Sequence, residues 1–286
     1  MSDADAIRRR VAETYARAAA LPAVSRTGAE GEATPAGVTA RDAPYSPADL
    51  AGLPPGAWAL SFGCGDPVGA SPPAEGEFVL DLGCGAGLDL LLAARRIGPR
   101  GIAVGVELAR PMAERVREHA AAAGFANVRA VVGAIERLPV RSGVADRIYA
   151  NAAINLSPEK DLVFAEIVRT LHPGGRAILA DVAVEEMPLW LREVGAFYSP
   201  SLAGAIGVDA YRKGLERAGL ASVRIVERVP YSEDRIAEMI RGETVPGAEE
   251  ARKALGGFVT DRLVGRAARD LAGAVARVLF EAVRPE

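Results

Sequence analysis

The run Phe78-Val79-Leu80-Asp81-Leu82-Gly83-Cys84-Gly85-Ala86-Gly87 decides the fold of this chain. An apolar, β-type stretch carries one acidic residue, Asp81, and leads into a loop with three glycines, after which a helical run starts at Leu88. This order of strand, loop and helix is typical of the unit that binds a dinucleotide or nucleoside at the carboxyl end of a strand. Glycine lacks a Cβ atom, so the backbone can turn with positive φ and approach a ligand closely. We therefore predict a nucleoside site here, with a plain tight turn as the alternative.

Composition narrows the class of protein. The chain has 286 residues, half of them apolar, which is enough for a large core. The formal net charge is −3 with both signs interspersed, so no basic face suggests a nucleic acid partner. No uninterrupted apolar run has the length of a signal peptide or a membrane span, so we expect a cytoplasmic protein without a membrane partner. Two cysteines and two histidines indicate neither a disulfide framework nor a metal site.

Strand-like and helix-like segments alternate from residue 78 onward. The predicted strands of this part are 78–82, 102–107, 128–132, 146–150 and 176–181. The predicted helices between them are 88–97, 110–123 and 158–170. Ser157 is the predicted cap of the last helix. Continuous apolar strands that alternate with helices predict an α/β fold, in which a parallel sheet is covered by helices on both faces.

The flanking parts of the chain differ in character. Residues 1–44 carry a predicted helix over 4–20 and then a segment rich in Gly, Ala, Thr and Pro, which we predict to be a mobile linker or lid over 22–43. The core is predicted over 45–185, opening with a short helix capped by Ser46. The region 186–286 is expected to complete the sheet and the acceptor pocket. Its predicted helices are 187–198, 208–218, 232–241 and 248–270, and its predicted strands are 223–229 and 275–283, with the last strand closing the sheet edge.

The acidic residue at the end of the second strand points to a ribose. Glu107 follows the glycine loop by about twenty residues, where a carboxylate can accept hydrogen bonds from ribose hydroxyls. This position fits both NAD and S-adenosylmethionine. The loop is G-x-G-x-G and lacks the pyrophosphate pattern G-x-G-x-x-G, which favours S-adenosylmethionine. The turn 133–139 after strand three suits an adenine pocket, and the glycine-bracketed loop 61–67 is either an ordinary turn or a lip over that pocket.

Several motifs together resemble the arsenite methyltransferase family of class I S-adenosylmethionine-dependent methyltransferases. They are the segments 45–50, 62–67, 79–87, 151–160 and 172–176. The most specific is Asn151-Ala152-Ala153-Ile154-Asn155-Leu156-Ser157-Pro158-Glu159-Lys160. The resemblance extends from about residue 45 to about residue 220. It implies a Rossmann-like fold with a mostly parallel seven-stranded sheet, S-adenosylmethionine as cofactor and a small-molecule acceptor.

The resemblance and the strand ends together assign the cofactor site. Asp81, the loop glycines and Asn151 would meet the methionine portion, and Glu107 would meet the ribose. Adenine would lie beside the segment that follows strand three. The predicted cofactor-binding residues are Asp81, Gly83, Cys84, Gly85, Gly87, Glu107, Leu108, Ile135, Glu136 and Asn151.

The acceptor site departs from the family. Family members bind trivalent arsenic through cysteine thiolates, which are soft ligands. Only Cys64 matches such a position, because Ala152, Ser199 and Ser201 occupy the other cysteine positions. We therefore expect a rebuilt acceptor site without a metal. Its candidate residues are Cys64, Ala152, Asn155, Tyr198, Ser199 and Ser201.

The expected activity is methyl transfer from S-adenosylmethionine to a small organic molecule. No side chain stands out as a general base: His119 is expected on a solvated helix face, and His172 in a structural turn. Trp190 and Phe197 are expected to pack in the core rather than to stack on an acceptor. The alternatives are an enzyme that uses the same sulfonium for cyclisation or aminocarboxypropyl transfer, a non-catalytic nucleoside-binding protein, and arsenite methylation through Cys64 with an external thiol.

Overall fold

A seven-stranded sheet forms the centre of the computed structural model, which describes residues 2–20, 45–186, 202, 204–241 and 261–286. The strands are β1 (Phe78–Leu82), β2 (Ile102–Glu107), β3 (Val128–Val132), β4 (Ala145–Asn151), β5 (Leu171–Val184), β6 (Ala221–Pro230) and β7 (Val275–Val283). Their order across the sheet is β3-β2-β1-β4-β5-β7-β6. Strands β1 to β5 run parallel, whereas β7 is antiparallel to both of its neighbours. The predicted, mostly parallel α/β sheet is confirmed.

Helices cover both faces of this sheet. They are α1 (Asp3–Ala19), α2 (Pro47–Leu50), α3 (Pro55–Ala59), α4 (Pro67–Ala70), α5 (Leu88–Ile97), α6 (Arg110–Ala122), α7 (Lys160–Thr170), α8 (Val208–Ala218), α9 (Glu233–Arg241) and α10 (Asp261–Leu271). A single 3₁₀ turn, Ile154–Leu156, lies between β4 and α7. Among the described helices, none combines the length and the apolar character that crossing a lipid bilayer requires.

Local sequence features place several helix ends where the pattern predicts them. Helix α2 begins with a capping box, in which the Ser46 hydroxyl accepts a hydrogen bond from the Asp49 N–H at 3.1 Å. Helix α8 ends at Gly219, whose φ of 109° is a left-handed conformation that favours glycine. Segments 88–97 and 208–218 are helical over the predicted ranges. The predicted helix over 187–198, with Trp190 and Phe197, lies outside the described residues.

The placement of β7 differs from the prediction. It does not close the edge of the sheet but lies between β5 and β6, and all its residues except Val283 are buried. Val278, Leu279 and Phe280 supply apolar side chains to both faces, which suits an internal strand. Strand β6 takes the edge instead, and it is exposed along most of its length, as an edge strand with charged side chains can be.

The start of α7 is also different from the prediction. Ser157 has extended backbone angles and follows the 3₁₀ turn, so the helix begins only at Lys160. The Ser157 hydroxyl instead donates to Glu136 Oε1 at 2.6 Å and accepts from the Glu159 N–H at 3.1 Å. Ser157 thus connects the start of α7 to the segment after β3 through hydrogen bonds.

The core consists of two main apolar layers, one on each face of the sheet. One layer packs α5 and α6 against the sheet, and the other packs α7 and α8 against it. In the second layer the Tyr211 ring stacks on Phe280 with centroids 4.6 Å apart. A third cluster packs α9 and α10 against the carboxyl end of β5 and the start of β7. The helices that pack on the two faces of the sheet leave the carboxyl ends of β1 to β4 free, and the candidate site lies there beneath α1.

Candidate functional site

A cavity of about 870 Å³, including its open mouth, lies at the carboxyl ends of β1, β2, β3 and β4. Nine of the ten predicted cofactor residues line the cavity: Asp81, Gly83, Cys84, Gly85, Glu107, Leu108, Ile135, Glu136 and Asn151. Gly87 is not among them, because it sits at the start of α5 and faces Val116 of α6.

The loop between β1 and α5 requires glycine at two positions for different reasons. At Gly83 a Cβ atom would lie 2.6 Å from the Cβ of Ala153, so a side chain would clash with the segment after β4. At Gly85 a Cβ atom would meet open space, but the φ of 52° is left-handed. The space above Gly85 is what a ligand held against the loop backbone needs.

Glu107 fixes this loop in addition to facing the cavity. Its buried carboxylate accepts hydrogen bonds from the Gly85 N–H at 3.0 Å and from the Ala109 N–H at 2.8 Å. Burial raises the pKa of Glu107, while the N–H donors act in the opposite direction. The end of β2 is thereby tied to the glycine loop, a contact that the ribose prediction did not include.

Asp81 is a buried carboxyl group with an unused oxygen. The residue is 2% exposed and lines the cavity, and its Oδ2 atom has no hydrogen-bond partner among the described residues. Burial and the neighbouring carboxyl groups of Asp89 and Glu107 raise its pKa well above the usual range. A buried polar atom without a partner is costly, so this oxygen fits a cationic group of a bound ligand.

Asn151 at the end of β4 connects three parts of the chain. Its Oδ1 accepts from the Cys64 N–H at 2.7 Å and the Gly65 N–H at 3.1 Å. Its Nδ2 donates to Asp89 Oδ2 at 2.9 Å. The Tyr45 hydroxyl donates to the other oxygen of Asp89 at 2.8 Å, and burial raises the pKa of Asp89 to about 7. Asn151 thus pins the loop 61–67 to the sheet, and its side-chain oxygen is engaged by that loop.

Sequence reasoning missed Asp89 and Tyr45. Asp89 lies in the first turn of α5, where an acidic side chain is ordinarily explained by the helix dipole. Its position two residues after the last loop glycine was the available indication that it might be buried beside the cavity.

The predicted acceptor residues do not lie together at the cavity. Ala152 lines the cavity with a left-handed φ of 57°, which is strained for a residue with a Cβ atom. Asn155 is buried and is not among the residues that line the cavity, and its backbone N–H donates to Asp181 Oδ2 at 2.9 Å. Cys64 is fully buried and is not among the residues that line the cavity, and burial raises the pKa of its thiol well above the usual range. Tyr198, Ser199 and Ser201 lie outside the described residues.

Helix α1 covers the cavity, a role that the sequence pattern did not indicate. Its residues Arg8, Val11 and Tyr15 line the cavity. The guanidinium of Arg8 lies 3.2 Å from Glu136 Oε1, counting from Nε, and also forms an ion pair with Glu159. The predicted lid over 22–43 lies outside the described residues, so the cover that the structure describes is α1.

The two histidines take different positions. His119 was expected on a solvated face but is buried, because α6 packs against the glycine loop and α3. Its Nδ1 lies 2.9 Å from the Ala86 carbonyl oxygen, and burial lowers its pKa. His172 Nε2 lies 2.8 Å from Asp146 Oδ1, at the start of β5 and away from the cavity. Among the described residues, no group of three or more His, Cys, Asp or Glu side chains could hold a metal ion.

Comparison with known proteins identifies the family of this chain. The family described as a methyltransferase domain matches residues 73–219. The arsenite methyltransferase of Halobacterium salinarum is 36% identical over 214 residues, which are 73% of this chain and 54% of that protein. Nocamycin O-methyltransferase of Saccharothrix syringae is 36% identical over 104 residues, which are 36% of this chain and 37% of that protein. The chain spans about half the length of the curated arsenite methyltransferases from Halobacterium salinarum and Aquipseudomonas alcaligenes.

A solved structure extends the likeness beyond sequence. The crystal structure of an arsenic(III) S-adenosylmethionine methyltransferase from Chlamydomonas reinhardtii matches with a TM-score of 0.64 at 26% identity. The match covers 87% of this chain and 73% of that chain. The open space above Gly85 and the unpartnered oxygen of Asp81 also fit the nucleoside and the amino group of S-adenosylmethionine, the cofactor of that enzyme. The chain therefore belongs to the methyltransferase domain family, as an arsenite methyltransferase-like class I member whose cofactor is S-adenosylmethionine.

Proposed function

We propose that this protein transfers the methyl group of S-adenosylmethionine to a small organic acceptor and not to arsenite. The proposal rests on a difference between the predicted cofactor residues and the predicted arsenic ligand. Nine of the ten predicted cofactor residues line the cavity, whereas Cys64, the one cysteine that matches an arsenic-ligand position, is fully buried away from it. The cofactor-binding part of the family pattern is retained, whereas the cysteine thiolates that would bind arsenic are not.

Different residues of the chain would bind different parts of the cofactor. Asp81 would hold the cationic amino group with its free oxygen. Glu107 would accept hydrogen bonds from the ribose hydroxyls while it keeps the glycine loop in place. Leu108 and Ile135 would pack on the adenine, beside Glu136. When bound, S-adenosylmethionine supplies a methyl carbon activated by the positively charged sulfur.

The remaining task of the protein is to position the acceptor and to exclude water. Holding a nucleophile in line with a reacting carbon converts a bimolecular step into an effectively unimolecular one, which accounts for much of the rate in such reactions. Helix α1 closes over the cavity with Val11 and Tyr15, and its Arg8 is tied to the opposite wall through Glu136 and Glu159. These contacts enclose the site, and an acceptor that carries a proton would release it to solvent or ionise before the transfer.

Three features weigh against arsenite as the acceptor. Ala152, at a position where the family has cysteine, presents only a methyl group to the cavity. Ser199 and Ser201 replace two further cysteines, and hydroxyl groups are hard ligands that suit a soft metalloid poorly. The Cys64 thiol is shielded, and its raised pKa keeps it protonated rather than as the thiolate that binds metal. Nocamycin O-methyltransferase, a relative in sequence, is named for an organic acceptor.

Identification of the released nucleoside tests this function. The full chain is incubated with S-adenosylmethionine and a panel of phenols, enols and amines, with arsenite plus a thiol in a parallel series. Release of S-adenosylhomocysteine that depends on an organic acceptor is the expected result. Release of methylthioadenosine would instead indicate cyclisation or aminocarboxypropyl transfer. Tight cofactor binding without any turnover would indicate a non-catalytic nucleoside-binding protein, and either result overturns the proposal.

A further inference from the structure

The segment that follows β4 forms one side of the cavity. We call residues 152–157 the β4 turn, and it includes the 3₁₀ turn Ile154–Leu156. Its cavity-lining residues are Ala152, Ala153, Leu156 and Ser157. A Cβ atom placed on Gly83 would lie 2.6 Å from the Cβ of Ala153, so the β4 turn lies directly against the glycine loop. The position of the β4 turn therefore sets the width of the cavity beside that loop.

The β4 turn begins in an unfavourable backbone conformation. Ala152 has a φ of 57°, in the left-handed region that a residue with a Cβ atom rarely adopts. Such conformations persist only where the surrounding structure imposes them, and they concentrate at functional sites. Two charged residues that impose this conformation, Asp181 and Lys160, are not among the residues that line the cavity.

We propose that Asp181 and Lys160 are positioning residues for methyl transfer. The Asp181 carboxylate holds N–H groups of the β4 turn and the Lys160 ammonium holds its carbonyl groups, so that Ala152 and Ala153 keep the cavity in the shape that binds the cofactor. The inference deepens the proposed function and rests on it, since an acceptor must meet the cofactor in this cavity.

Three consecutive residues of β5 hold the β4 turn. The Ala180 carbonyl oxygen accepts from the Ala152 N–H at 2.8 Å, and Asp181 Oδ2 accepts from the Asn155 N–H at 2.9 Å. The Val182 carbonyl oxygen accepts from Asn155 Nδ2 at 2.6 Å. The contacts of Ala180 and Val182 use backbone atoms of β5, whereas that of Asp181 needs its side chain. Asp181 is therefore the residue of β5 at which a substitution would release the turn.

Both oxygens of Asp181 are engaged by backbone donors. Oδ2 takes the Asn155 N–H, and Oδ1 accepts from the Val182 N–H at 3.0 Å. The side chain is buried, with 2% of the residue exposed. An amide at this position would have to turn its own N–H₂ group toward one of the two N–H groups. A carboxylate is thus the side chain that this place in the fold requires.

Lys160 holds the other end of the β4 turn. Its Nζ donates to the Ser157 carbonyl oxygen at 3.0 Å and to the Asn155 carbonyl oxygen at 3.3 Å. Carbonyl groups at the end of a helical turn lack partners within the turn, and a cation there is favourable. Lys160 ends the motif that is most specific to the resemblance, and these contacts give the residue a role that the motif alone does not indicate.

The two charged groups also stabilise each other. Burial raises the pKa of Asp181 to about 7, while the backbone N–H donors and the charge of Lys160 act in the opposite direction. Burial lowers the pKa of Lys160, and the carboxyl groups of Asp181 and Glu136 counteract that effect. Loss of either charge would leave the other without its compensation and would loosen the β4 turn.

Cofactor affinity tests the proposal with the full chain. It is titrated with S-adenosylhomocysteine by calorimetry at pH 8, where Asp181 is charged. Lys160→Met removes the ammonium and should weaken binding about tenfold, the value of one hydrogen bond to a charged group. Lys160→Arg keeps a cation with N–H donors and should restore most of the affinity. Asp181→Asn should weaken binding by a factor similar to that of Lys160→Met.

Hydrogen exchange followed by mass spectrometry separates positioning from a general structural role. In Lys160→Met and Asp181→Asn, the amides of residues 152–157 should exchange faster than in the wild type, whereas those of β1 and β2 should keep their rates. Lys213→Met changes an exposed residue of α8 and should alter neither exchange nor affinity. Faster exchange throughout the sheet would show general destabilisation and would overturn the proposal.

Two further results would also overturn it: wild-type affinity in both Lys160→Met and Asp181→Asn, or an Lys160→Arg variant as impaired as Lys160→Met. Turnover of an organic acceptor by Lys160→Met should fall about 100-fold, the cost of a misplacement of about 1 Å. If the wild type methylates no organic acceptor, the proposed function is wrong, and affinity and exchange still decide the roles of Asp181 and Lys160. If acceptors are methylated while affinity and exchange are unchanged in the variants, the proposed function stands and the positioning roles are wrong.

Discussion

At the scale of single residues, the site is a group of buried carboxyl groups that accept hydrogen bonds from backbone and side-chain donors. Glu107 takes hydrogen bonds from the loop that it faces, and Asp89 takes them from Tyr45 and Asn151, whereas one oxygen of Asp81 is left without a partner. We infer from this difference that Asp89 maintains the cavity, that Glu107 holds the glycine loop while it faces the ribose, and that Asp81 is available for the ligand.

Replacement of Asp81 separates ligand binding from stability. Asp81→Asn should weaken S-adenosylmethionine binding roughly 10- to 150-fold, the equivalent of about 1.5–3 kcal/mol for a charged hydrogen bond. The free energy of unfolding of the ligand-free protein should not fall, because the buried Oδ2 atom has no hydrogen-bond partner to lose. Calorimetric titration and urea unfolding measure the two quantities. A destabilised variant with normal cofactor affinity would show that Asp81 is structural.

The raised pKa of Asp89 predicts a pH dependence of stability. Burial raises this pKa from 3.8 to about 7, so the folded protein holds a proton that the unfolded chain releases at a lower pH. The stabilisation is complete below about pH 4 and is lost as pH rises through about 7. Asp181 acts in the same direction, since burial also raises its pKa to about 7. Asp89→Asn should therefore show a shallower loss of unfolding free energy between pH 5 and pH 8 than the wild type, by urea titration, and an unchanged slope would contradict this.

At the scale of elements, α1 is a cover that closes the cavity from outside the sheet. It reaches from the Arg8 ion pairs at the segment after β3 to α6, where Arg115 holds its last turn. A cofactor bound in the cavity would lie behind this helix, so we expect its release to depend on how firmly α1 is held.

Loosening the Arg8 contacts should speed cofactor exchange. Arg8→Gln is expected to increase the dissociation rate of S-adenosylhomocysteine about three- to tenfold in stopped-flow measurements, because one partly buried ion-pair group is lost. Added salt should reduce the difference from wild type, since ion pairs near the surface are screened. Arg10→Gln removes an exposed charge of the same helix and serves as the control. Equal effects of the two variants would show that charge rather than the Arg8 contacts is responsible.

The position of β7 gives a second prediction at this scale. Phe280 is 1% exposed in the internal strand, whereas Val226 is 39% exposed in the edge strand β6. Phe280→Ala should lower the free energy of unfolding by about 3–5 kcal/mol, and Val226→Ala should change it by no more than about 0.5 kcal/mol. Urea unfolding of both variants checks the order of the strands. Similar costs at both positions would favour the edge placement of β7 that the sequence pattern predicted.

At the scale of the whole molecule, local sequence patterns predicted where helices and strands lie better than they predicted which elements are in contact. The runs 88–97 and 208–218 end at glycines and have helical periodicity, so their bounds could be read directly. The glycine loop and Glu107 line the same cavity, because the carboxyl ends of neighbouring parallel strands lie at the same edge of the sheet. The insertion of β7, the burial of His119 and the contact of Arg8 with Glu136 depend on residues far apart in the chain. Periodicity carries no information on such contacts.

We propose that a further long-range contact, from Asn151 to the loop that holds Cys64, separates this chain from the arsenic chemistry of its relatives. Motif matching identified Cys64 as a candidate acceptor residue, and the hydrogen bonds of Asn151 hold the loop so that this cysteine is buried under it. The central claim is therefore that methyl transfer depends on the cavity and not on a thiol.

The most direct test of that claim compares wild type with Cys64→Ser for formation of S-adenosylhomocysteine, measured by liquid chromatography and mass spectrometry with organic acceptors and with arsenite. We predict turnover with an organic acceptor at a similar rate in both proteins, and no arsenite-dependent turnover in either. Arsenite-dependent formation of S-adenosylhomocysteine that disappears in Cys64→Ser would contradict the account.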